Sequence, residues 1–392
     1  MTAAAGAVAR PRASRAAAGG TVGPAQRHTL LITVDRLTPA PEILGVFRRP
    51  DEPIVVSAHL HLLCLDRLGL LGQAWSSFTD VLAAGSRRAK IPLPGIDTLA
   101  GIDAAELTAL PGIDNFLVLR RIRDEAVSGL WRRIVVDLSG AGDPFVVLAA
   151  ASVLRQALAR LWPRHRRLAA AAERPAAAQL TAAVDAIDRD CTDIAELLSD
   201  AHTVAAHLVV GADGRAPRLL PEYLATIDLL GVPLRSVHLN EGVSVLSRDT
   251  DIDRACGDRV FGDQRALADQ GVSVHRIVAL DEPIDRPARL RKLQVVLPEP
   301  DGRAGGSAAV TVTAPAPAAE QVYELSWPQR LTDPAGLTLG RSGDDLVVTV
   351  SGVRHCVQLP SVLRRCDVVD ASWDGARIRI RFRPDASVWP RR

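Results

Sequence analysis

Lysine is almost missing from this 392-residue chain. Of its 47 basic residues only Lys90 and Lys292 are lysines, which leaves 45 arginines, and neither lysine lies in a glycine-rich turn. A phosphate loop of the G-x-x-x-x-G-K-[ST] kind is therefore not present, because such a loop needs a lysine on the terminal phosphates and glycines whose N–H groups wrap them. Cysteine is scarce too. Cys64, Cys191, Cys256, Cys356 and Cys366 are scattered, odd in number and never spaced as CxxC; this argues against zinc or a disulfide framework and for free thiols in a reducing compartment. A single Met disfavours a methionine-lined client surface. No apolar run approaches the ~20 residues of a membrane span and no signal peptide is read, so a cytoplasmic location is expected. A formal charge of +2 offers no support for nucleic acid or an anionic membrane surface as a partner.

What remains is the composition of a folded protein, 47% hydrophobic and 23% charged, long enough for roughly two domains. The most informative stretch runs from Pro111 to Leu148. Phe116, Leu119, Ile122 and Ala126 recur at helical spacing, with Arg120, Arg121 and Asp124 on the other side. Gly129 ends that helix. Ile134-Val135-Val136 then read as a strand buried on both faces and closing on Asp137, and Ser139-Gly140-Ala141-Gly142 lead into an apolar helix from Phe145. The N–H groups of that helix start are expected to point at whatever lies beside Asp137. Leu30 to Val34 form a similar buried strand ending on Asp35, and Leu60 to Asp66 another with a polar end. In an open parallel sheet, ligands bind beyond such strand ends; an aspartate there is equally a helix cap.

Further along, Arg164 to Arg167 read as a solvated helix end and Ala169 to Ala201 as helix interrupted near Pro175. Strands are expected at Val204 to Gly211, Leu234 to Asn240 and His275 to Leu280, with a helix from Pro217 to Leu230; His238 and His275 fall inside strands, as satisfied core or edge residues. Residues 298–319 are a linker by their Pro, Gly and Ala content. Beyond them the pattern becomes short alternating strands: Val322 to Leu325, Leu337 to Leu339, Leu346 to Val350, His355 to Leu359 and Arg377 to Phe382. PGID occurs twice, as weak evidence of duplicated turn chemistry.

Three of these features carry a resemblance. The PGID helix, the strand ending VVD and the loop DLSGAGDP resemble the second switch of the ArsA-type anion-transporting ATPases, whose usual loop reads DTAPTGHT; Asp137 and Gly142 match it, whereas Leu138, Gly140, Asp143 and Pro144 replace other members of the pattern. VDRLTPAPEILGV is similar to the family's first switch at Asp35 and at Leu44-Gly45-Val46. The strand ending on Asn240 follows LLGVP, as in the family. In addition, GDDLVVTVSGVRHCVQLP and ASWDGARIRIRF resemble the small-heat-shock-like (alpha-crystallin-type) β-sandwich appended to many actinobacterial ArsA-type proteins.

The resemblance implies a P-loop-NTPase-like, mostly parallel α/β sheet with helices on both faces over residues 1–297, and a small all-β sandwich over 320–384. It implies catalytic and magnesium-binding roles for Asp35 and Asp137, contact with ATP by Gly142 and Asn240, and ATP with Mg2+ as cofactors. Hydrolysis would switch a dimer, built from two copies or with an ArsA-type paralogue, between open and closed forms; a membrane-protein partner is left undefined. The alanine-rich opening residues resemble the helix after the family's phosphate loop. The chain would then begin one strand and one loop late, or have lost the loop. Two further readings stay open, a non-hydrolysing partner of an active paralogue and a chaperone-like protein acting through the C-terminal sandwich.

Overall fold

A computed structural model describes residues 27–89, 102–109, 112–173, 175–211, 215–241, 264–303, 309–312, 322–331 and 333–387. The first 26 residues, Lys90, the first PGID and Cys256 lie outside them. The chain divides into two compact units, residues 1–197 with 280–297 and residues 198–279 with 298–392.

The first unit is built on a four-stranded sheet in the order β2-β3-β1-β4, with β1 Arg27–Thr33, β2 Ile54–Ser57, β3 Leu60–Cys64 and β4 Trp131–Asp137. β1 runs parallel to β3 and β4, and β2 runs antiparallel to β3. Successive side chains of β1 enter opposite cores: Leu30 and Ile32 join Leu63, Val118 and Trp131 on one face, and Leu31 joins Ala40, Leu44 and Leu62 on the other. Burial on both faces explains the unbroken apolar run LLI, since a strand with one wet face alternates instead.

β4 departs from expectation. Among the described residues it pairs with β1 alone, and Ile134, Val135 and Val136 are only half-buried with Arg132 exposed. A β-branched run of three is too short to distinguish a central strand from an edge.

Around this sheet lie α1 Ala40–Leu44, α2 Arg67–Ala89, α3 Ile113–Val127, α4 Pro144–Leu161, α5 Arg164–Glu173 and α6 Pro175–Ser199. Gly129 at φ +69° follows the end of α3 in the left-handed region that suits glycine. Glu125 of α3 is buried and accepts from Trp131 Nε1 at 2.6 Å while pairing with Arg121. α4 is, among the described residues, the one helix long and apolar enough to cross a membrane by length and composition; Phe145, Val147 and Ala149 to Ala151 are buried within the unit.

The cluster at Arg164 to Arg167 is also not uniformly solvated. Arg167 is 1% exposed. Its Nη2 lies 3.0 Å from both Asp185 and Asp188 of α6, and its Nη1 donates to the Trp162 carbonyl. A guanidinium can sit in a core when its charge is paired, here by two aspartates.

The second unit holds two assemblies. One is the parallel sheet β5-β6-β7, comprising β5 Ala206–Gly211, β6 Leu234–Asn240 and β7 Ser273–Ile277, with α7 Ala216–Leu230 crossing from β5 to β6 and α8 Gln264–Asp269 preceding β7. The other is a pair of antiparallel sheets, β10-β11-β12 and β13-β14-β9-β8. Their strands are β8 Ala309–Val312, β9 Tyr323–Pro328, β10 Leu337–Ser342, β11 Asp345–Val350, β12 Val353–Gln358, β13 Cys366–Trp373 and β14 Arg377–Pro384. In β14, Ile378, Ile380 and Phe382 are fully buried while the alternate arginines face outward, the period-two signature of a half-buried strand.

Part of the stretch read as linker is structured. β8 pairs with β9, the Gly302 N–H donates to the Ala201 carbonyl, and Arg235 pairs with Asp301 at 2.8 Å. Gly302 holds φ +75° with its Cα face against His202, where a Cβ would come within 2.4 Å of the ring.

One face of β5-β6-β7 is polar though buried. Ser236 bridges His207 Nδ1 at 2.7 Å and His238 Nε2 at 2.8 Å, and the His238 and His275 rings stack with centroids 5.1 Å apart. Burial holds the pKa of His207 and of His238 down to about 4, with the neighbouring imidazoles adding to the effect. The unfolded chain takes up these protons near pH 6.5, so the stabilisation is complete above that pH and is lost as pH falls toward 4. His238 alone is expected to account for about 3 kcal/mol across that window, read as a falling denaturant midpoint, and His238→Gln should flatten the fall; an unchanged slope in that variant would contradict the assignment. In the first unit, Arg167→Ala should cost on the order of 3 kcal/mol by stranding two carboxylates, measured by urea unfolding.

Candidate functional site

β1, β3 and β4 run parallel, so their carboxyl ends share one edge, and each is followed there by an aspartate or ends on one. Thr33 of β1 is in register with Asp137, the last residue of β4, and the Val34 N–H donates to the Asp137 carbonyl. Asp35 follows two residues beyond Thr33, and Asp66 follows β3. The structure therefore brings Asp35 and Asp137 to neighbouring strand ends. It adds Asp66 and, beside it, Asp51, whose Oδ1 accepts from the Asp66 N–H at 2.9 Å. Burial raises the pKa of Asp51, helped by the Asp66 charge. Asp51 has no strand pattern around it and could not be picked out by reading along the chain.

The individual groups are engaged locally. Asp35 Oδ1 accepts from the Leu37 N–H at 2.8 Å, and Asp137, 7% exposed, accepts from the Ser139 N–H at 2.9 Å. The loop after β4 then folds back onto β1. A Cβ built on Gly140 would lie 2.1 Å from Asp35 Cβ and 2.3 Å from its Cγ, so the Gly140 main chain rests directly on Asp35. Only glycine fits there. Gly142 adopts φ +80°, a turn position with open space around its Cα.

The start of α4 differs from the expectation of free N–H donors. Pro144 at the first position has none, the Phe145 N–H donates to Asp143 Oδ1 at 2.9 Å, and the Val147 N–H reaches the Asp143 carbonyl. Within the loop the Ala141 N–H is taken by the Leu138 carbonyl. Asp143 thus supplies its own negative charge at the positive end of the helix, where an incoming anion would otherwise gain. The Asp-Pro pair preceding an apolar run was the signal for this cap.

Asn240 lies in the second unit. It closes β6, in register with Gly211 of β5 and Ile277 of β7.

Comparison with known proteins bears on this arrangement. A family model described as the HSP20-like domain found in ArsA matches residues 320–382. Protein Rv2184c of Mycobacterium tuberculosis is 31% identical, over 98% of this chain and 96% of its own. The chain belongs to the ArsA-type family, with a C-terminal HSP20-like domain. Protein SCO2128 of Streptomyces coelicolor is 30% identical over 81% of this ArsA-type chain and 82% of its own, and a protein of Chlorobaculum tepidum carrying the name arsenical pump-driving ATPase is 21% identical over 84% and 83%.

A magnesium nucleotide does not fit the carboxyl edge of this ArsA-type chain as folded. The edge collects carboxylates, the Ser139 and Ala141 N–H groups of the loop are bonded within it, Asp143 already caps α4, and the Gly140 main chain rests against Asp35. Among the described residues no group of three or more His, Cys, Asp or Glu is arranged to hold a metal ion. Burial raises the thiol pKa of Cys64 and Cys366 and pushes that of Cys191 up to about 12, so each of these three stays protonated and poorly nucleophilic.

Gly140→Ala should cost roughly 1–3 kcal/mol by forcing the loop off Asp35, and Asp143→Ala about 1 kcal/mol through loss of the cap. Both are read from thermal unfolding, and a neutral Gly140→Ala would show that the loop does not rest on Asp35 in solution.

Proposed function

We propose that this protein is a non-hydrolysing ArsA-family subunit, a P-loop-NTPase-like scaffold that acts in the cytoplasm by assembling with a second copy or with a nucleotide-binding ArsA-type paralogue. One observation carries the reading: the loop that follows β4 is packed onto Asp35 and capped by its own carboxylate. Phosphoryl transfer depends on positioning and on stabilising charge developed at the phosphates. Asp35 and Asp137, which family resemblance places at this edge, are both acidic and each accepts from an N–H of its own turn. The parallel strands keep the aspartates in place because they cap turns, with Asp35 serving the Leu37 N–H and Asp137 the Ser139 N–H.

A second reading, ATP hydrolysis driving an open and closed switch, draws on the adjacency of Asp35 and Asp137 and on the likeness to the Chlorobaculum protein. It requires a lysine-bearing phosphate loop to be brought to this edge. The third, a chaperone-like activity, draws on the HSP20-like domain.

Melting of the purified protein with and without millimolar MgATP separates these readings. The expected result is an unchanged Tm and no phosphate release. Binding at a hundredfold excess over Kd would stabilise by about 2.7 kcal/mol, so a rise of several degrees would show that the chain binds nucleotide, release of phosphate above background overturns the non-hydrolysing reading, and suppression of a client's aggregation without nucleotide would favour the third.

A further inference from the structure

The HSP20-like sandwich does not stand apart from the parallel sheet of its unit. Helix α7, which connects β5 to β6, packs on β5 and also on β11 and β12. Ala225 and Leu229, one turn apart, belong to the same buried cluster as Leu325, Trp327, Val348 and Val350 of the sandwich. Such i, i+4 spacing is how an amphipathic helix fills a groove. A small residue at 225 permits close approach: Gln329, fully buried, donates from Nε2 to the Ala225 carbonyl at 2.7 Å, while its own carbonyl accepts from Trp373 Nε1 at 2.9 Å.

The remaining interaction is electrostatic. Arg330 donates its backbone N–H and its Nε to Asp228 Oδ2 at 2.9 and 2.7 Å, and its Nη2 to Asp228 Oδ1. This is a bidentate, charge-assisted pair, the strongest kind of side-chain recognition available to a carboxylate. Its members are separated by 102 residues of chain. They retain 16% and 23% side-chain exposure, so water reaches the pair. The sandwich therefore recognises a helix by two apolar positions, one main-chain carbonyl and one acid, and nothing in that recognition requires helix and sandwich to come from the same chain.

Along the chain the last attachment to the parallel sheet and the sandwich are close together. Upstream, Asp301 is paired with Arg235 and the Gly302 N–H with the Ala201 carbonyl, and downstream the sandwich begins at β8 with Ala309. Residues 304–308 are the whole span between the two attachments. A short connection between two bodies that share one interface is the arrangement in which an element is traded between identical protomers at little cost, because each protomer recovers from its partner the same packing and ion pair that it gives up within itself.

We propose that the α7–sandwich interface is exchangeable between two copies of this chain, so that the protein forms a reciprocal dimer in which the HSP20-like domain of one protomer holds α7 of the other. The occupant is a second copy, since the groove reads the apolar and acidic positions that α7 carries. This inference is independent of the nucleotide reading above; a chain that binds ATP could exchange the same interface.

Charge reversal tests it in the full-length protein. Asp228→Arg places two arginines at the interface and Arg330→Asp places two aspartates there, so each variant is mismatched within its own chain. Each should lose roughly a hundredfold or more in its folding equilibrium, as removal of one partner from a largely buried pair does. Mixed one to one, the two variants have both interfaces complementary only when they trade sandwiches. The expected outcome is a heterodimer by size-exclusion chromatography and light scattering, with its melting temperature restored toward wild type. The double variant, carrying Asp228→Arg and Arg330→Asp in one chain, should also be restored and shows that the reversed pair is functional. Recovery in the double variant without recovery in the mixture overturns the proposal, because the pairing is then made only within a chain. If either single variant does not fold when expressed alone, co-expression of the two decides the matter in the same way: a soluble heterodimer supports exchange, and continued loss of both overturns it.

Discussion

The pairing of β1 with β4 governs the carboxyl edge of the first unit. With Thr33 set against Asp137 and the Val34 N–H bonded to the Asp137 carbonyl, Asp35 has one place it can occupy, and the chain leaving β4 has to turn beside it. A side chain at position 140 would collide with Asp35, so glycine is required. The turn then ends in Asp143 and Pro144, one supplying a cap to the Phe145 N–H and the other removing a donor from the start of α4. The edge where Asp35 and Asp137 stand is in this way held by contacts within its own loop.

The two cores of that unit and, in the second unit, the core of the sandwich are conventional in composition, but the charged groups within each unit are specific. Arg167 is enclosed by two aspartates of α6, Glu125 bridges α3 to Trp131, and Asp228 joins α7 to Arg330. Each pair contributes modestly to net stability against an apolar substitute, yet each makes a wrong packing expensive by stranding a charge. The histidine row of β5-β6-β7 acts in the same sense. Ser236 bridges two imidazoles that burial keeps neutral, so that sheet is specified for neutral pH and penalised in acid.

Much of this could be read along the chain. Helix and strand periods located α3, α4, α7 and β14 to within a few residues, and strands rich in Leu and Ile that end in aspartate pointed to the edge where Asp35 and Asp137 meet. Gly129 was correctly placed at the end of a helix because glycine tolerates the left-handed turn. The character of Arg167 was not legible, since a run of basic residues looks solvated until the helix opposite, with Asp185 and Asp188, is packed against it. β8 was hidden in a Pro-, Gly- and Ala-rich stretch because its pairing with β9 is an interaction between strands and leaves little local pattern.

The amino-acid sequence by itself determined where helices such as α3, α4 and α7 and strands such as β1, β6 and β14 lie, because these depend on local periodicity, capping and turn chemistry, and its motifs carried the resemblance to an ArsA-type region followed by an HSP20-like domain. Only the tertiary structure decided that Gly140 rests on Asp35, that β4 has a partner on one side among the described residues, and that Arg330 reaches Asp228 across 102 positions. Interactions of that kind are set by the register of strands and the approach of distant surfaces, and no stretch of chain contains both halves of them.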